Sequence, residues 1–134
     1  METLDRGSNV LVVGASGGIG AALVEHLLAR STARRIWAAT RTPEHPRLAR
    51  LAQTYGARCR PVAVDILDES RIAALADTLR SDHPRLHLLI NAFGLLHDPD
   101  QGVWPEKRVE DVGAGAGLMN YRDNALAPAL IAHH

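Results

Sequence analysis

Lysine is nearly absent from this chain: of fifteen basic residues all are arginine except Lys107. Cysteine occurs once, as Cys59, which excludes an intrachain disulfide and fits a reducing compartment. Net charge is missing too. Fifteen basic and fifteen acidic side chains cancel, so no overall field draws the protein to nucleic acid or to an anionic membrane, and any affinity for phosphate has to be local. Apolar runs are short and strand-like, as in Val10-Leu11-Val12-Val13, far below the about 20 residues that cross a bilayer. The opening stretch Met1 to Ser8 is polar, carries Glu2 and Asp5, and has neither the basic region nor the apolar segment of a secretory leader. A cytoplasmic location is expected, with neither nucleic acid nor membrane as partner.

What the chain does have is enough apolar content, 46% of 134 residues, for one domain with a core. From residue 9 to residue 94, short apolar runs alternate with amphipathic stretches, the pattern of a parallel sheet covered by helices. Strands are predicted at Asn9 to Val13, Arg35 to Thr40, Arg60 to Val64 and Leu86 to Asn91, each nearly continuous in apolar residues as strands buried on both faces are. Between them, Leu48, Leu51, Ala52 and Tyr55 repeat at helical spacing, as do Ile72, Leu75, Ala76 and Leu79. Ile19, Leu23 and Leu27 suggest a similar stripe on a first helix. Right-handed crossovers then order the strands 3-2-1-4, a doubly wound α/β sheet of Rossmann type with helices on both faces and a ligand crevice where the winding reverses. After Gly94 the pattern fails. Pro99, Pro105 and the run Gly113 to Gly117 predict a mobile loop over 95–117, followed by a helix from about Leu118 that Pro128 interrupts.

Directly after the first strand comes Gly14-Ala15-Ser16-Gly17-Gly18-Ile19-Gly20, opening the first helix. Glycines there allow a tight turn, a close approach of backbone to a diphosphate, and close contact of helix with strand. The free N–H groups and positive end of the helix would face the anion. An ordinary glycine-rich surface turn has the same composition, but its place between strand and helix favours a nucleotide site. Arg41 follows the second strand, where a ribose 2′-phosphate would arrive, and a guanidinium bonds such a phosphate with about 1.5–3 kcal/mol. NAD-preferring sites put an acidic residue at this strand end, and here the residue is Thr40. Arg41 could otherwise be a solvated surface residue; with Thr40 beside it, NADP(H) is favoured over NAD(H).

These features resemble the compact branch of the short-chain dehydrogenase/reductase superfamily, whose G-x-x-x-G-x-G is matched by Gly14, Gly18 and Gly20. The resemblance implies a cofactor site that also includes Ser16 and Ile19. Asp65-Ile66 resembles the family pair whose acidic side chain contacts the adenine edge, although alone it would read as a helix-entry carboxylate. Asn91-Ala92-Phe93-Gly94 resembles the segment N-N-A-G beside the adenosine ribose, with Phe93 in place of a small residue. Asn124, in Asn124-Ala125-Leu126-Ala127-Pro128, resembles the asparagine of the catalytic tetrad, which in the family anchors a water relay; its neighbour Asp123 stands where relatives carry an apolar residue. Leu95-Leu96-His97-Asp98 and Pro105-Glu106-Lys107-Arg108 look like the C-factor and sniffer branch of carbonyl reductases.

The resemblance also implies a tyrosine that exchanges a proton with the substrate while hydride moves, and a lysine four residues later that favours its phenolate. The two tyrosines here, Tyr55 and Tyr121, are followed at that spacing by Cys59 and Ala125, and Lys107 is preceded by Val103. The tetrad serine, tyrosine and lysine are thus all missing, and the family serine would lie beyond this chain. Residues 1–134 are read as a partial NAD(P)-binding Rossmann domain, truncated to about four strands and inactive alone. Its fourth strand would be an apolar edge open to self-association or to a partner chain. A non-catalytic NADP(H) module and an interaction subunit completed by another chain remain the alternatives. Cys59 is expected to be inert, and the adjacent His133 and His134 do not form a chelating pair.

Overall fold

Five residues with no exposed side chain, Asn9–Val13, form β1, and its neighbours follow from the apolar runs around it. The computed structural model describes residues 4–134, the side chain of Gln101 excepted; Glu2 lies outside them. The chain forms two compact units, Met1–Phe93 and Gly94–His134.

In the first unit β1 pairs in parallel with β2 (Arg35–Thr40) on one side and β4 (Leu88–Asn91) on the other, and β3 (Cys59–Ala63) extends the sheet beyond β2. The order β3-β2-β1-β4 is the one expected. Helices α1 (Gly18–Arg30), α2 (Pro46–Tyr55) and α3 (Glu69–Asp82) make the crossovers. Two crossovers step outward and the third returns past β1, so right-handed connections put α3 on the face opposite α1 and α2. Val10, Val12, Val24, Leu28, Ile36, Ala38 and Leu48 form the core on the α1–α2 side, each aliphatic side chain larger than alanine contributing about 1.5–3 kcal/mol by burial.

The stripes of α2 and α3 run as their spacing predicts, through buried Leu48 and Leu51 and through buried Ile72 and Leu75. That of α1 differs. Ile19 is 74% exposed, and the buried residues are Gly20, Ala21, Val24, Leu27 and Leu28. Because α1 begins at Gly18, Ile19 sits in the uncapped first turn beyond the sheet, and the inward face starts one residue later. At the start of α3, Asp68 accepts the N–H groups of Ser70 and Arg71 at 3.0 and 3.3 Å. The Ser70 hydroxyl first, and the Arg71 N–H after it, hold the Asp68 carboxyl below the usual carboxylate range.

Two strand boundaries shift from expectation. β3 starts and ends one residue early, and it tolerates Pro61 because an edge strand can lack one ladder donor. β4 starts at Leu88 rather than Leu86, which is 41% exposed. His87 closes the gap: its N–H donates to the Asn9 carbonyl at 2.9 Å, and its Nδ1 accepts the Asn9 N–H at 3.1 Å. Nearby, Asp82 at the end of α3 pairs with Arg35 and, at 2.8 Å, with Arg34, joining that helix to the start of β2.

Cys59 opens β3 and is buried, and burial pushes its thiol up to about 11. The thiolate is the reactive form, so at pH 8 the native thiol is ionised to roughly one part in a thousand. A thiolate-directed reagent at pH 8 is therefore expected to label Cys59 only as fast as the protein unfolds; labelling at the rate of free cysteine would contradict this. The raised value adds nothing below pH 9.0 and weakens the fold as pH climbs from there to about 11, because the unfolded chain sheds the proton first.

In the second unit, Asp98 and Val103 form an isolated antiparallel bridge, and 3-10 turns cover Pro99–Gln101 and Val109–Asp111. The expected loop over 95–117 ends early, because α4 (Ala114–Tyr121) takes in most of the glycine run. Extended Gly113 caps it, and Ala114 and Ala116, with Leu118 and Met119 beyond, outweigh the helix cost of the two glycines between them. A π-helical stretch, Arg122–Leu126, leads into α5 (Ala127–His133). Pro128 has no N–H for the Asn124 carbonyl to accept in a regular helix, and the wider turn, with Ala127 N–H reaching the Arg122 carbonyl, carries the chain past the defect. Asp123 is buried and paired, its Oδ1 accepting from Arg122 Nε at 2.8 Å. Among the described residues no helix is long and apolar enough to cross a membrane.

Candidate dinucleotide site

The C-terminal ends of the four strands bring the first unit's predicted site residues to one edge of the sheet. Gly14 leaves β1 with φ +84°, a conformation that side chains disfavour, and a Cβ there would stand 2.9 Å from the Ala92 carbonyl and the Phe93 nitrogen. The end of β1 thus lies directly against the peptide after β4. Gly14 and Ala15 N–H groups both donate to the Ala39 carbonyl, at 2.9 and 3.1 Å, which ties the turn to β2 as well. A Cβ on Gly20 would run into the Gly14 carbonyl oxygen, so α1 can begin this close to β1 only with glycine there.

Gly18 is different in kind. It is exposed, and a Cβ on it would meet nothing within 4 Å. Open space, not packing, lies beside its backbone. Gly17 caps α1 without any side-chain hydrogen bond, so the first-turn N–H groups of Gly18, Ile19 and Gly20 have no side-chain acceptor from the cap. An uncapped helix start, positive in potential and with a backbone that a ligand can reach, suits a diphosphate.

Beside this turn, Ser16 Oγ and Thr40 Oγ1 are 2.6 Å apart, and Thr40 Oγ1 also accepts the Thr42 N–H at 3.3 Å. Arg41, next in sequence, is exposed and makes no hydrogen bond or ion pair among the described residues. Asp65 lies just past β3 and is half-buried, with Oδ1 accepting the Leu67 N–H at 3.0 Å and its neighbour Ile66 half-buried as well. Asn91 ends β4 opposite Val13, and Ala92 N–H donates to the Val13 carbonyl at 2.8 Å.

In the second unit the structure joins Gly94 and Asn124. Asn124 Oδ1 accepts the Leu95 N–H at 2.8 Å while its Nδ2 donates to the Leu95 carbonyl at 2.6 Å, a two-point grip on one residue. A Cβ on Gly94 would stand 3.1 Å from the same Oδ1. Neither the Ser16–Thr40 pair nor this grip is apparent from spacing. The available signals were a hydroxyl residue closing a buried strand and an asparagine four residues before a proline.

A parallel sheet in this order, with a glycine turn between its first strand and helix, defines a doubly wound α/β domain of Rossmann type. Residues 8–114 match the family described as short chain dehydrogenase, and the chain belongs to that family. It is 36% identical over 114 residues, 81% of this chain, to polyketide synthase GfsB of Streptomyces halstedii, of which it spans 2%. The NADPH-bound carbonyl reductase from chicken fatty liver superposes with a TM-score of 0.80 at 27% identity, over 98% of this chain and 49% of that one. A carbonyl reductase from Pseudomonas aeruginosa gives 0.78 at 28% identity, over 95% of this chain and 54% of that one. The chain spans about half the length of these reductases.

Proposed function

We propose that this chain is the NADP(H)-holding half of a carbonyl-reducing short chain dehydrogenase, lacking the groups that move the proton. The observation that carries the reading is the open backbone at Gly18 in an uncapped helix start, with an Arg41 guanidinium just past β2 that has no partner among the described residues. In this reading Gly14, Ser16, Gly18, Ile19 and Gly20 hold the diphosphate, Arg41 takes the 2′-phosphate, Asp65 and Ile66 the adenine, and Asn91 and Ala92 the ribose. Bound there, the cofactor supplies a hydride for a carbonyl carbon or accepts one from an alcohol. The chain's own contribution is to bind and orient it. These 134 residues contain no Tyr-x-x-x-Lys to protonate the product oxygen.

Titration of the purified protein with NADPH and NADH, followed by calorimetry, tests the assignment. NADPH is expected to bind at least about tenfold more tightly, the worth of one charge-assisted contact, with no turnover of carbonyl substrates. No heat with either nucleotide would refute it. A second reading, a binding or interaction module completed by another chain, is favoured by one observation: β4 is the last strand of the sheet.

A further inference from the structure

In the sequence Thr40 marks only the lack of an acidic residue at the end of β2; in the fold its side chain is buried. The residue is 5% exposed, so water has almost no access to its hydroxyl. Its oxygen already accepts the Thr42 N–H, at 3.3 Å. Its proton still needs an acceptor, and the side chain beside it is Ser16, with Oγ at 2.6 Å. A buried hydroxyl that leaves its proton unbonded carries a penalty, so Thr40 is best satisfied as donor to Ser16. Ser16, half-buried, then turns its own proton outward. With Thr40 as the donor the chain of bonds runs one way: Thr42 N–H to Thr40, Thr40 O–H to Ser16, Ser16 O–H to whatever lies beyond, each bond polarising the next.

We infer that the Ser16–Thr40 hydroxyl pair is a one-way donor relay that selects a phosphorylated ribose, with Thr40 as its positioning residue. A phosphate oxygen only accepts, and it meets two donors here, the Ser16 hydroxyl and the Arg41 guanidinium. A ribose hydroxyl offers a proton as well and finds no carboxylate at the strand end to take it. Thr40 thus contributes to selectivity through Ser16, from inside the sheet. This rests on the dinucleotide reading above and goes beyond it by locating discrimination in a pair of hydroxyls as well as in a charge.

The test measures affinity for adenosine 2′,5′-bisphosphate against adenosine 5′-monophosphate in wild type, Thr40→Val, Thr40→Ser and Ser16→Ala, with fluorescence of the buried Trp37 as folding control. Thr40→Val keeps the shape and removes the hydroxyl, and is expected to lower the ratio of affinities about tenfold. Thr40→Ser restores it, whereas Ser16→Ala lowers it as Thr40→Val does. An unchanged ratio in Thr40→Val, or a serine variant as poor as the valine one, overturns the relay. If Thr40→Val fails to fold, Ser16→Ala decides, because Ser16 lies at the surface of the turn, and an unchanged ratio there is equally fatal. A wild type that binds neither nucleotide, or does not distinguish them, removes the NADP(H) assignment itself and the relay with it.

Discussion

Replacing Gly20 with alanine is expected to abolish dinucleotide binding and to destabilise the first unit by about 3 kcal/mol or more, at the upper end of what overpacking costs. The added methyl meets only backbone: the Gly14 carbonyl oxygen, the Gly14 carbonyl carbon at 2.8 Å and the Ala15 Cα at 3.1 Å. No rotamer change relieves that. Nor can Gly14 yield, since its N–H is bonded to Ala39 at 2.9 Å and its Cα faces the Ala92–Phe93 peptide. Moving it would pull the end of β1 away from β2 and β4 together. For a unit of this size the loss corresponds to a melting temperature lower by roughly 12 °C or more. Gly18→Ala is the control that separates packing from binding. Its methyl meets nothing within 4 Å and alanine is the better helix former, so the fold gains up to about 1 kcal/mol. Binding is lost nonetheless, because the methyl occupies the space proposed for the diphosphate. Thermal melting and nucleotide titration of both variants decide the matter: a Gly20→Ala protein that melts with the wild type, or a Gly18→Ala protein that binds as well, would contradict it.

How far the sequence discloses this arrangement depends on the range of the interaction concerned. Strand order, the α2 and α3 stripes and the glycine turn are legible because local periodicity and crossover handedness determine them. Ile19 was misplaced by a period that ignores where a helix begins. Residues 114–117 read as loop but form helix, because glycine's cost per residue is small beside what neighbouring alanines and a following apolar segment supply. The start of β4 was missed because an imidazole takes over a backbone bond, a substitution between His87 and Asn9 that no spacing encodes. The Ser16–Thr40 pair is hidden for the same reason, since its partners are 24 residues apart and meet only once β1 and β2 are in register.

The largest expected change in binding is at Arg41, the one member of the proposed phosphate site whose side chain bonds to nothing else among the described residues. Because it supports no other contact, Arg41→Asp should melt within about 1 °C of wild type, as exposed substitutions away from structural features do. Its effect on NADPH is the sum of two terms. Charge-assisted bonds worth about 1.5–3 kcal/mol disappear, and a carboxylate now faces a phosphate, a repulsion of about 1–4 kcal/mol at contact distances near a surface. Affinity for NADPH should therefore fall by a hundredfold or more, on the order of 3 kcal/mol. NADH carries no phosphate there, and a carboxylate at this strand end can accept from its ribose hydroxyls, so its affinity should hold or rise. The preference inverts. Two further signatures belong to an exposed ion pair with a phosphate. Wild-type preference should weaken as salt rises, and also below about pH 6, where a phosphate monoester takes up its second proton and loses charge. Isothermal titration of wild type and Arg41→Asp with both nucleotides, at two salt concentrations and on either side of about pH 6, reads all of this; equal losses for NADPH and NADH would mean that the guanidinium is not where the 2′-phosphate is held.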